Sequence, residues 1–292
     1  MARAARPTGG ILLIGATGML GSALAGRLRE IARDFRAVSR RELDLERPES
    51  IRAFLAKADP ETVINTAAFT DVNRAELAEH RREVFRVNRD GPGDLARACA
   101  AGAVRLVHVS TDYVFDGLKG APYVEDDPTA PVQVYGTSKL EGERAVLAAW
   151  PEALVVRTST LYGPGRSARP AYVDAIRAQA LTRTVLEVVE PPIASPTLSH
   201  DLARGILSLV DAGASGVVHV VNRGSCSRLE LARAVVALSG LSGRVEVVPR
   251  PASPSGPARP PFSALGTDRF AAVTGGHLRG WRDALAEYLS RG

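Results

Sequence analysis

The sequence has few cysteines and no long apolar run, and each absence excludes a class of protein. Cys99 and Cys226 are the two cysteines; they lie far apart, and neither belongs to a CxxC pair. We therefore expect neither a disulfide framework nor a zinc site, and we predict no metal. No apolar run approaches the ~20 residues that span a bilayer.

The first residues also lack the features of a secretion signal. Residues 1–10 are basic and contain glycine and proline, and the apolar run that follows them, residues 11–14, is too short for a signal core. We therefore expect a cytoplasmic protein without membrane contacts, and we expect residues 1–9 to form a short disordered tail.

The chain also lacks a concentrated basic patch. Its net charge of +5 comes from 37 Lys and Arg against 32 Asp and Glu, and the arginines are dispersed without interleaved aromatic residues. This pattern suits anionic small molecules and does not predict nucleic-acid binding. A hydrophobic content of 45% and a length of 292 residues are typical of one large globular domain or two unequal ones.

A glycine-rich turn follows the first apolar run. Residues 11–14 are typical of a buried parallel strand, and residues 22–31 have helical periodicity. Gly15, Gly18 and Gly21 lie between them. Glycines at this spacing allow a tight turn, a close approach to pyrophosphate and close packing of helix on strand, while the helix N-terminus attracts phosphate. The segment predicts dinucleotide binding.

The end of the second predicted strand indicates which dinucleotide binds. The strand covers residues 35–38 and continues into Ser39, Arg40 and Arg41 instead of the acid that holds an NAD ribose. Two arginines suit the 2′-phosphate of NADP, so we favour NADPH and leave NADH possible. Asp44 could accept a hydrogen bond from adenine or cap its own loop.

Strands and helices alternate along most of the chain, which predicts an α/β fold with a doubly wound parallel sheet. Small Ala67 and Ala68, just beyond a strand, leave room for a cofactor at the carboxyl ends of the strands. The predicted strands are 62–65, 105–109, 154–157, 185–189 and 217–221; the predicted helices are 48–57, 73–88, 91–101, 135–149, 198–212 and 278–289; residues 249–261 form a proline-rich surface loop.

Tyr135 and Lys139 are spaced to share one face of a helix. A fixed cation near a phenol favours the phenolate, so we expect Lys139 to lower the pKa of Tyr135 from about 10. A tyrosine tuned in this way can exchange a proton near neutral pH. The pair is therefore a candidate acid–base centre.

Three motifs in order resemble the extended short-chain dehydrogenase/reductases: the glycine turn, Ser110-Thr111-Asp112, and Tyr135 with Lys139. Within them, the chain resembles the dTDP-4-dehydrorhamnose reductase family over about residues 10–291. The further motifs are Asn65-Thr66-Ala67-Ala68-Phe69-Thr70, the continuation Tyr113-Val114-Phe115-Asp116-Gly117, Pro128-Thr129-Ala130-Pro131, Arg157-Thr158-Ser159, Leu161-Tyr162-Gly163, Pro196-Thr197, and Pro257-Ala258-Arg259-Pro260.

The resemblance implies roles for matching residues. Tyr135 would protonate the oxygen of a reduced carbonyl, Lys139 would hold the nicotinamide ribose, and Thr111 would bind the carbonyl. It implies a small C-terminal substrate domain within residues 161–292, a cofactor domain over residues 1–160 to which part of 198–222 returns, and a monomer or homodimer. Besides the cofactor-binding residues already named, the resemblance implies Thr17, Met19, Leu20, Leu45 and Thr70. The substrate-binding residues that it implies are Thr70, Val72, Thr111, Asp112, Tyr113, Tyr135, Thr160 and Arg259.

Several positions depart from the patterns of these families. Tyr113 stands where related 4,6-dehydratases place a second acid, which favours a simple ketoreductase. Thr160 replaces a frequent tryptophan, residues 167–170 replace an Asn-Phe pair, and residues 190–192 replace an Asp-Gln pair. These departures lie on the substrate side and predict a different dTDP-4-keto-6-deoxyhexose as substrate. Two alternatives stay open: an epimerase, and a non-catalytic regulator similar to that of methionine adenosyltransferase.

Overall fold

The computed structural model describes residues 9–165, 170–190, 192–251 and 256–291. The strands, in chain order, are β1 (Gly9–Ile14), β2 (Phe35–Val38), β3 (Pro60–Asn65), β4 (Arg105–Thr111), β5 (Leu154–Thr158), β6 (Leu161–Tyr162), β7 (Val185–Val189), β8 (Ile193–Ala194), β9 (Thr197–Leu198), β10 (Gly216–His219), β11 (Cys226–Ser227) and β12 (Glu246–Arg250).

The α-helices alternate with these strands. They are α1 (Met19–Glu30), α2 (Pro48–Ala58), α3 (Val72–Ala75), α4 (Arg81–Phe85), α5 (Gly91–Ala101), α6 (Val134–Ala149), α7 (Tyr172–Thr182), α8 (Ser199–Asp211), α9 (Arg228–Leu238), α10 (Asp268–Thr274) and α11 (Trp281–Ser290). Single 3-10 turns lie at Ala78–His80 and Asp112–Val114, and a π-helical turn lies at Arg86–Asp90.

Six parallel strands form the central sheet in the order β2-β1-β3-β4-β5-β10. The chain order reverses between β1 and β3. In open parallel sheets such a switch point leaves a crevice beyond the carboxyl ends of the two strands, and ligands bind there. The doubly wound α/β fold predicted from the sequence is confirmed.

Alternation along β1 shows how the sheet is covered on both faces. Ile11 and Leu13 pack in one core with α1 and α8, whereas Leu12 and Ile14 pack in another with α2, α5 and α6. Successive side chains of a strand point to opposite faces. A strand buried on both faces must be apolar throughout, which explains the uninterrupted run in the sequence.

A third core lies outside the sheet, among α7, α9, α11, β7 and β12. Three two-stranded sheets accompany it, pairing β6 with β9, β7 with β12 and β8 with β11. Ser227 caps α9 through a reciprocal capping box with Glu230. This S-x-x-E pattern was present in the sequence, and it was a usable signal for a helix that we did not predict.

Several predicted boundaries were wrong. The helix predicted over residues 73–88 is broken into α3, a 3-10 turn, α4 and the π-helical turn, because Leu77 is extended (ψ 131°). The predicted loop 249–261 begins inside β12, since Pro249 and Arg250 continue that strand; residues 252–255 lie outside the described part. Helices α7 and α10 were also missed.

Two further expectations concern the N-terminal tail and the division of the chain into domains. The disordered tail was expected over residues 1–9. Residues 1–8 lie outside the described part, and at Gly9 the expectation was wrong, because Gly9 begins β1. The division of the chain near residue 160 stays a prediction. Among the described residues, no helix combines the length and the apolar character needed to cross a bilayer.

Candidate active site

A cavity of about 830 Å³ opens at the switch point between β1 and β3. Its volume lies in the range of cofactor and ligand sites. The predicted residues that line it are Gly15, Thr17, Gly18, Met19, Leu20, Gly21, Ser39, Arg40, Asp44, Leu45, Ala67, Ala68, Thr70, Val72, Thr111, Asp112, Tyr113, Tyr135, Lys139 and Thr160. Predicted Arg41 and Arg259 are not part of this lining.

The glycine turn forms one wall of the cavity. Gly15 has a left-handed backbone (φ 82°), and a Cβ on Gly21 would lie 2.1 Å from the carbonyl oxygen of Gly15. Gly18 precedes α1 as its N-cap without a side-chain cap. The first N–H groups of α1 therefore remain available to an anion. This cradle fits a dinucleotide pyrophosphate.

The loop after β2 is organised by acids. Glu42 accepts hydrogen bonds from the backbone N–H and the hydroxyl of Ser39, at 3.0 and 2.9 Å. The Ser39 backbone bond, followed by that from Arg36, holds the pKa of Glu42 at about 2. Arg40 pairs with Glu46, and its Nε lies 3.7 Å from Asp44. Arg40 thus reaches the cavity as a partly neutralised cation.

Asp44 also stabilises the loop after β2 through a local hydrogen bond. Its carboxylate accepts a hydrogen bond from the backbone N–H of Glu46 at 3.0 Å. This is the capping role that the sequence left open, and Asp44 lines the cavity at the same time.

The loop that follows β3 is held against α6 by the buried side-chain amide of Asn88. Asn88, in the π-helical turn, bonds both backbone groups of Phe69 at 2.8 and 3.0 Å, and it donates to the hydroxyl of Ser138 at 3.0 Å. A Cβ on Gly142 would lie 2.0 Å from the carbonyl oxygen of Asn88. These contacts fix α6 close to the loop that carries Ala67 and Ala68.

Tyr135 faces Thr111 and Tyr113 across the cavity. The rings of Tyr113 and Tyr135 pack edge to face with centroids 6.1 Å apart, and the Thr111 side chain lies close enough to Tyr135 to affect the pKa of its phenol. A Cβ on Gly136 would lie 2.1 Å from the carbonyl oxygen of Tyr113, so only glycine allows this approach of α6. The structure brings the predicted catalytic tyrosine and threonine together.

Our expectation that Lys139 lowers the pKa of Tyr135 is wrong. Burial raises the pKa of Tyr135 above its ordinary value, and the nearby Asp112 adds to the rise; the neighbouring Thr111 side chain opposes them. The four-residue spacing places the two residues on one face but does not fix where the ammonium points. The phenol therefore stays protonated at neutral pH, which is the form that donates.

The Lys139 amine points toward the sheet. Its Nζ donates to the carbonyl oxygen of Val109 at 2.7 Å and lies 3.3 Å from Nε2 of His108. The side chain is 1% exposed, and burial lowers the pKa of Lys139 to about 8. Asn65 contacts the other ring nitrogen of His108 at 3.2 Å. Neither Asn65 nor His108 was predicted as a site residue.

Asp112 is a buried carboxylate next to Thr111. It accepts hydrogen bonds from the hydroxyls of Ser263, Ser159 and Thr111 at 2.6, 2.7 and 3.1 Å. Burial raises the pKa of Asp112 to about 6 despite these donors. The carboxylate joins the end of β4 to a serine 151 residues away. No pattern in the sequence indicated Ser263.

Two arginines converge on Tyr113. Both Arg259 and Arg228 are close enough to lower its pKa, although burial and Asp112 raise that pKa overall. The guanidinium of Arg228 also lies 5.4 Å from the ring centre of Tyr172. Arg228 was missed because it begins α9, the helix that was not predicted. Pro170 lines the cavity, while residues 167–169 lie outside the described part.

Comparison with known proteins decides the family. The profile of the family described as "RmlD substrate binding domain" matches residues 9–292. The chain belongs to this family. A dTDP-4-dehydrorhamnose reductase of Mycobacterium tuberculosis is 42% identical over 288 residues, 96% of this chain and 92% of that protein.

Two other relatives extend the comparison within the RmlD family. A dTDP-4-keto-6-deoxy-D-glucose reductase of Streptomyces niveus is 38% identical and covers 94% of this chain and 95% of its own length. The crystal structure of a dTDP-4-dehydrorhamnose reductase from Bacillus anthracis, in complex with NADP, superimposes with a TM-score of 0.90 at 28% identity, covering 97% and 99% of the two chains. The predicted resemblance is confirmed.

Proposed function

We propose that this protein reduces the C4 ketone of a dTDP-4-keto-6-deoxyhexose with NADPH, and that NADH can replace it. The observation that carries the proposal is the meeting of Tyr135 and Thr111 at the cavity that the glycine turn also lines. Two of the relatives described above are named as reductases of dTDP-activated keto sugars, and the related structure from Bacillus anthracis is described in complex with NADP.

The cofactor side of the cavity supports the dinucleotide. The glycine turn offers backbone N–H groups to the pyrophosphate, and Arg40 faces the region that a 2′-phosphate would enter. When bound, NADPH supplies the hydride that reaches C4 of the sugar. We assign Lys139, which lines the cavity, to the nicotinamide ribose.

We assign protonation of the ketone oxygen to Tyr135. As the ketone carbon is reduced, negative charge develops on its oxygen, and donors that are already in place stabilise that charge. Tyr135 transfers its proton to this oxygen, and Thr111 holds the oxygen by a hydrogen bond. The raised pKa of Tyr135 keeps the phenol protonated until then.

The substrate side supports a nucleotide diphosphate. Arg228 and Arg259 both approach Tyr113, where their charges suit a diphosphate between nucleoside and sugar. Tyr113 replaces an acid that a dehydratase would use, so we propose a ketoreductase. We also propose that residues 1–160 hold the cofactor, with part of 198–222, and that residues 161–292 mostly bind the substrate.

The experiment is a turnover assay with purified protein. NADPH is mixed in turn with dTDP-4-keto-6-deoxyhexoses of each C3 and C5 configuration, and the absorbance band of the reduced cofactor is followed. We expect cofactor oxidation with at least one sugar, and the NMR spectrum of the product gives the C4 configuration. Cofactor binding without turnover of any sugar contradicts the proposal and favours the regulatory alternative.

A further inference from the structure

The loop after β2 contains two kinds of donor for an anionic ligand. Ser39 and Arg40 both line the cavity. Ser39 has a backbone N–H and a hydroxyl, each with one proton to donate, and Arg40 has a charged guanidinium. A phosphate ester is mainly doubly charged at neutral pH and offers acceptor oxygens. The affinity of this loop for a ribose 2′-phosphate therefore depends on which of these donors are free.

Both donors of Ser39 are held by one carboxylate. Oε2 of Glu42 accepts from the Ser39 backbone N–H at 3.0 Å and from the Ser39 hydroxyl at 2.9 Å. Oε1 of Glu42 accepts from Nη2 of Arg36 at 2.9 Å. While these bonds last, neither proton of Ser39 is available to another anion. Glu42 thus makes the contacts that a phosphate group would make with an N–H, a hydroxyl and a guanidinium.

A short turn holds Glu42 in this position. The carbonyl oxygen of Ser39 accepts from the backbone N–H groups of Glu42 and Leu43, both at 3.0 Å. Leu43 is 2% exposed and packs in the core that β1 and α2 share. The guanidinium of Arg36 lies 4.8 Å from the ring centre of Phe54. Because the turn is closed and anchored, Glu42 loses little conformational freedom in binding Ser39.

The charges of the loop act in the same direction as these bonds. The bond from the Ser39 backbone, followed by that from Arg36, holds the pKa of Glu42 at about 2, so the carboxylate is charged at neutral pH and repels a phosphate. Arg40 pairs with Glu46, and its Nε lies 3.7 Å from Asp44. A 2′-phosphate must therefore displace an acid or bind through a partly neutralised arginine.

The 2′-hydroxyl of NADH is neutral and needs no such displacement. We propose that Glu42 is a specificity-determining residue, which competes with the 2′-phosphate of NADPH for Ser39 and so narrows the preference for NADPH over NADH. The sequence shows Ser39, Arg40 and Arg41 after β2 and no acid among them. The turn brings the acid back from residue 42. This inference deepens the proposed use of both cofactors and rests on it for its meaning in turnover.

The test compares two nucleotides that differ only in the 2′-phosphate, adenosine 2′,5′-bisphosphate and 5′-AMP. Calorimetry gives both dissociation constants for the native protein and for Glu42→Ala. We expect the variant to bind the bisphosphate about tenfold more tightly, because Ser39 is free to bind the charged phosphate, and to bind 5′-AMP within about twofold of the native protein. An unchanged or reduced ratio overturns the inference, including an equal loss of both affinities, which would show that Glu42 only holds the loop.

Glu49→Ala is the matched control. It makes the same truncation and removes the same charge from an exposed residue in the first turn of α2, while Glu42 still holds the donors of Ser39. The ratio of the two dissociation constants should change less than about twofold. An equal change in the Glu49 and Glu42 variants overturns the inference, because net charge alone would then explain the gain.

A double-mutant cycle tests whether the competition is for Ser39. In the native protein, the Ser39 hydroxyl is held by Glu42, whereas in Glu42→Ala it is free to bind the phosphate. Ser39→Ala should therefore cost about threefold more affinity for the bisphosphate in the Glu42→Ala background than in the native background. Equal losses in the two backgrounds contradict competition for this residue.

None of these measurements depends on turnover. If the ratio rises as expected and no sugar is reduced, only the proposed activity is refuted. If sugars are reduced with NADPH and the ratio does not change, only the role of Glu42 is refuted. Failure of the native protein and the variants to bind either nucleotide refutes both.

Discussion

The two sides of the cavity that we propose for the cofactor and for the substrate are built in different ways. On the cofactor side, the decisive contacts are made by backbone: the carbonyl oxygen of Gly15 excludes a side chain at Gly21, and the start of α1 presents N–H groups. On the side that we propose for the substrate, side chains from distant segments converge on two residues of the cavity wall: Arg228 and Arg259 on Tyr113, and Ser263 on Asp112. A site formed by backbone groups tolerates few substitutions, because they disturb the path of the chain. A site formed by side chains can change its ligand specificity through single substitutions.

The largest expected effect tests the backbone site. Gly21→Ala places a Cβ 2.1 Å from the Gly15 carbonyl oxygen, so the turn must move. We expect NADPH affinity, measured by fluorescence titration, to fall about 100-fold or more, because the phosphate contacts depend on this turn. Gly26→Ala is the matched control on the same helix. Nothing lies within 4 Å of its Cβ, so it should stabilise the protein by up to ~1 kcal/mol.

Substitutions on the side proposed for the substrate should raise KM for the sugar nucleotide. Arg228→Met and Arg259→Met each remove a charge near Tyr113. Hydrogen bonds to charged groups contribute ~1.5–3 kcal/mol, so KM for the sugar nucleotide should rise about 10- to 100-fold. The dissociation constant of NADPH should stay unchanged. Exposed Arg223→Met is the control, and an equal rise in that variant would refute specific recognition.

The last strand of the central sheet, away from the cavity lining, ends in a pH-sensitive residue. His219 of β10 is fully buried, and its ring packs edge to face on Phe115. Burial, with Arg157 second, lowers the pKa of His219 to about 3. The unfolded chain therefore takes up a proton first, so the stability due to neutral His219 is full above pH ~6.5 and declines as pH falls toward 3.

The measurement is chemical denaturation of native protein and His219→Leu at two pH values. Between pH 7 and pH 5, the native protein should lose about 2 kcal/mol more free energy of unfolding than the variant. Other titrating groups contribute equally to both proteins and cancel. Parallel losses would show that His219 is not the residue responsible.

The smallest effect concerns the choice of cofactor. Arg40 lines the cavity and Arg41 does not, although both were predicted to bind the cofactor. Arg40→Ala should weaken NADPH binding about tenfold and leave NADH nearly unchanged, since Glu46 and Asp44 already offset part of its charge. Arg41→Ala should change neither affinity. The reverse ranking of the two variants would contradict our assignment of the 2′-phosphate contact.

The difference between the two sides of the cavity also explains which parts of the site could be predicted from the sequence. The strand, turn and helix of the cofactor side lie within 22 consecutive residues, 9–30, so their pattern is complete in one segment. Asn65 and His108 are 43 residues apart and meet only through the register of β3 and β4. The bond from Ser263 to Asp112 spans 151 residues. Such contacts carry no local signal.

Electrostatic predictions failed for a related reason. Spacing placed Lys139 and Tyr135 on one face of α6, and that placement was confirmed. The direction of the amine depends on Val109 and His108, and the pKa of the phenol depends mainly on burial. Both are properties of the packed structure. A helix pattern alone could therefore predict which residues are neighbours but not their protonation.

Tyr135→Phe tests the central claim most directly, because it removes one hydroxyl and keeps the ring that packs on Tyr113. In the turnover assay with NADPH and the accepted sugar, kcat should fall about 10²- to 10⁴-fold, the usual contribution of a general acid. The dissociation constant of NADPH, measured on the same preparation, should change less than about twofold. A variant that keeps the native kcat would contradict the assignment of Tyr135 as the proton donor.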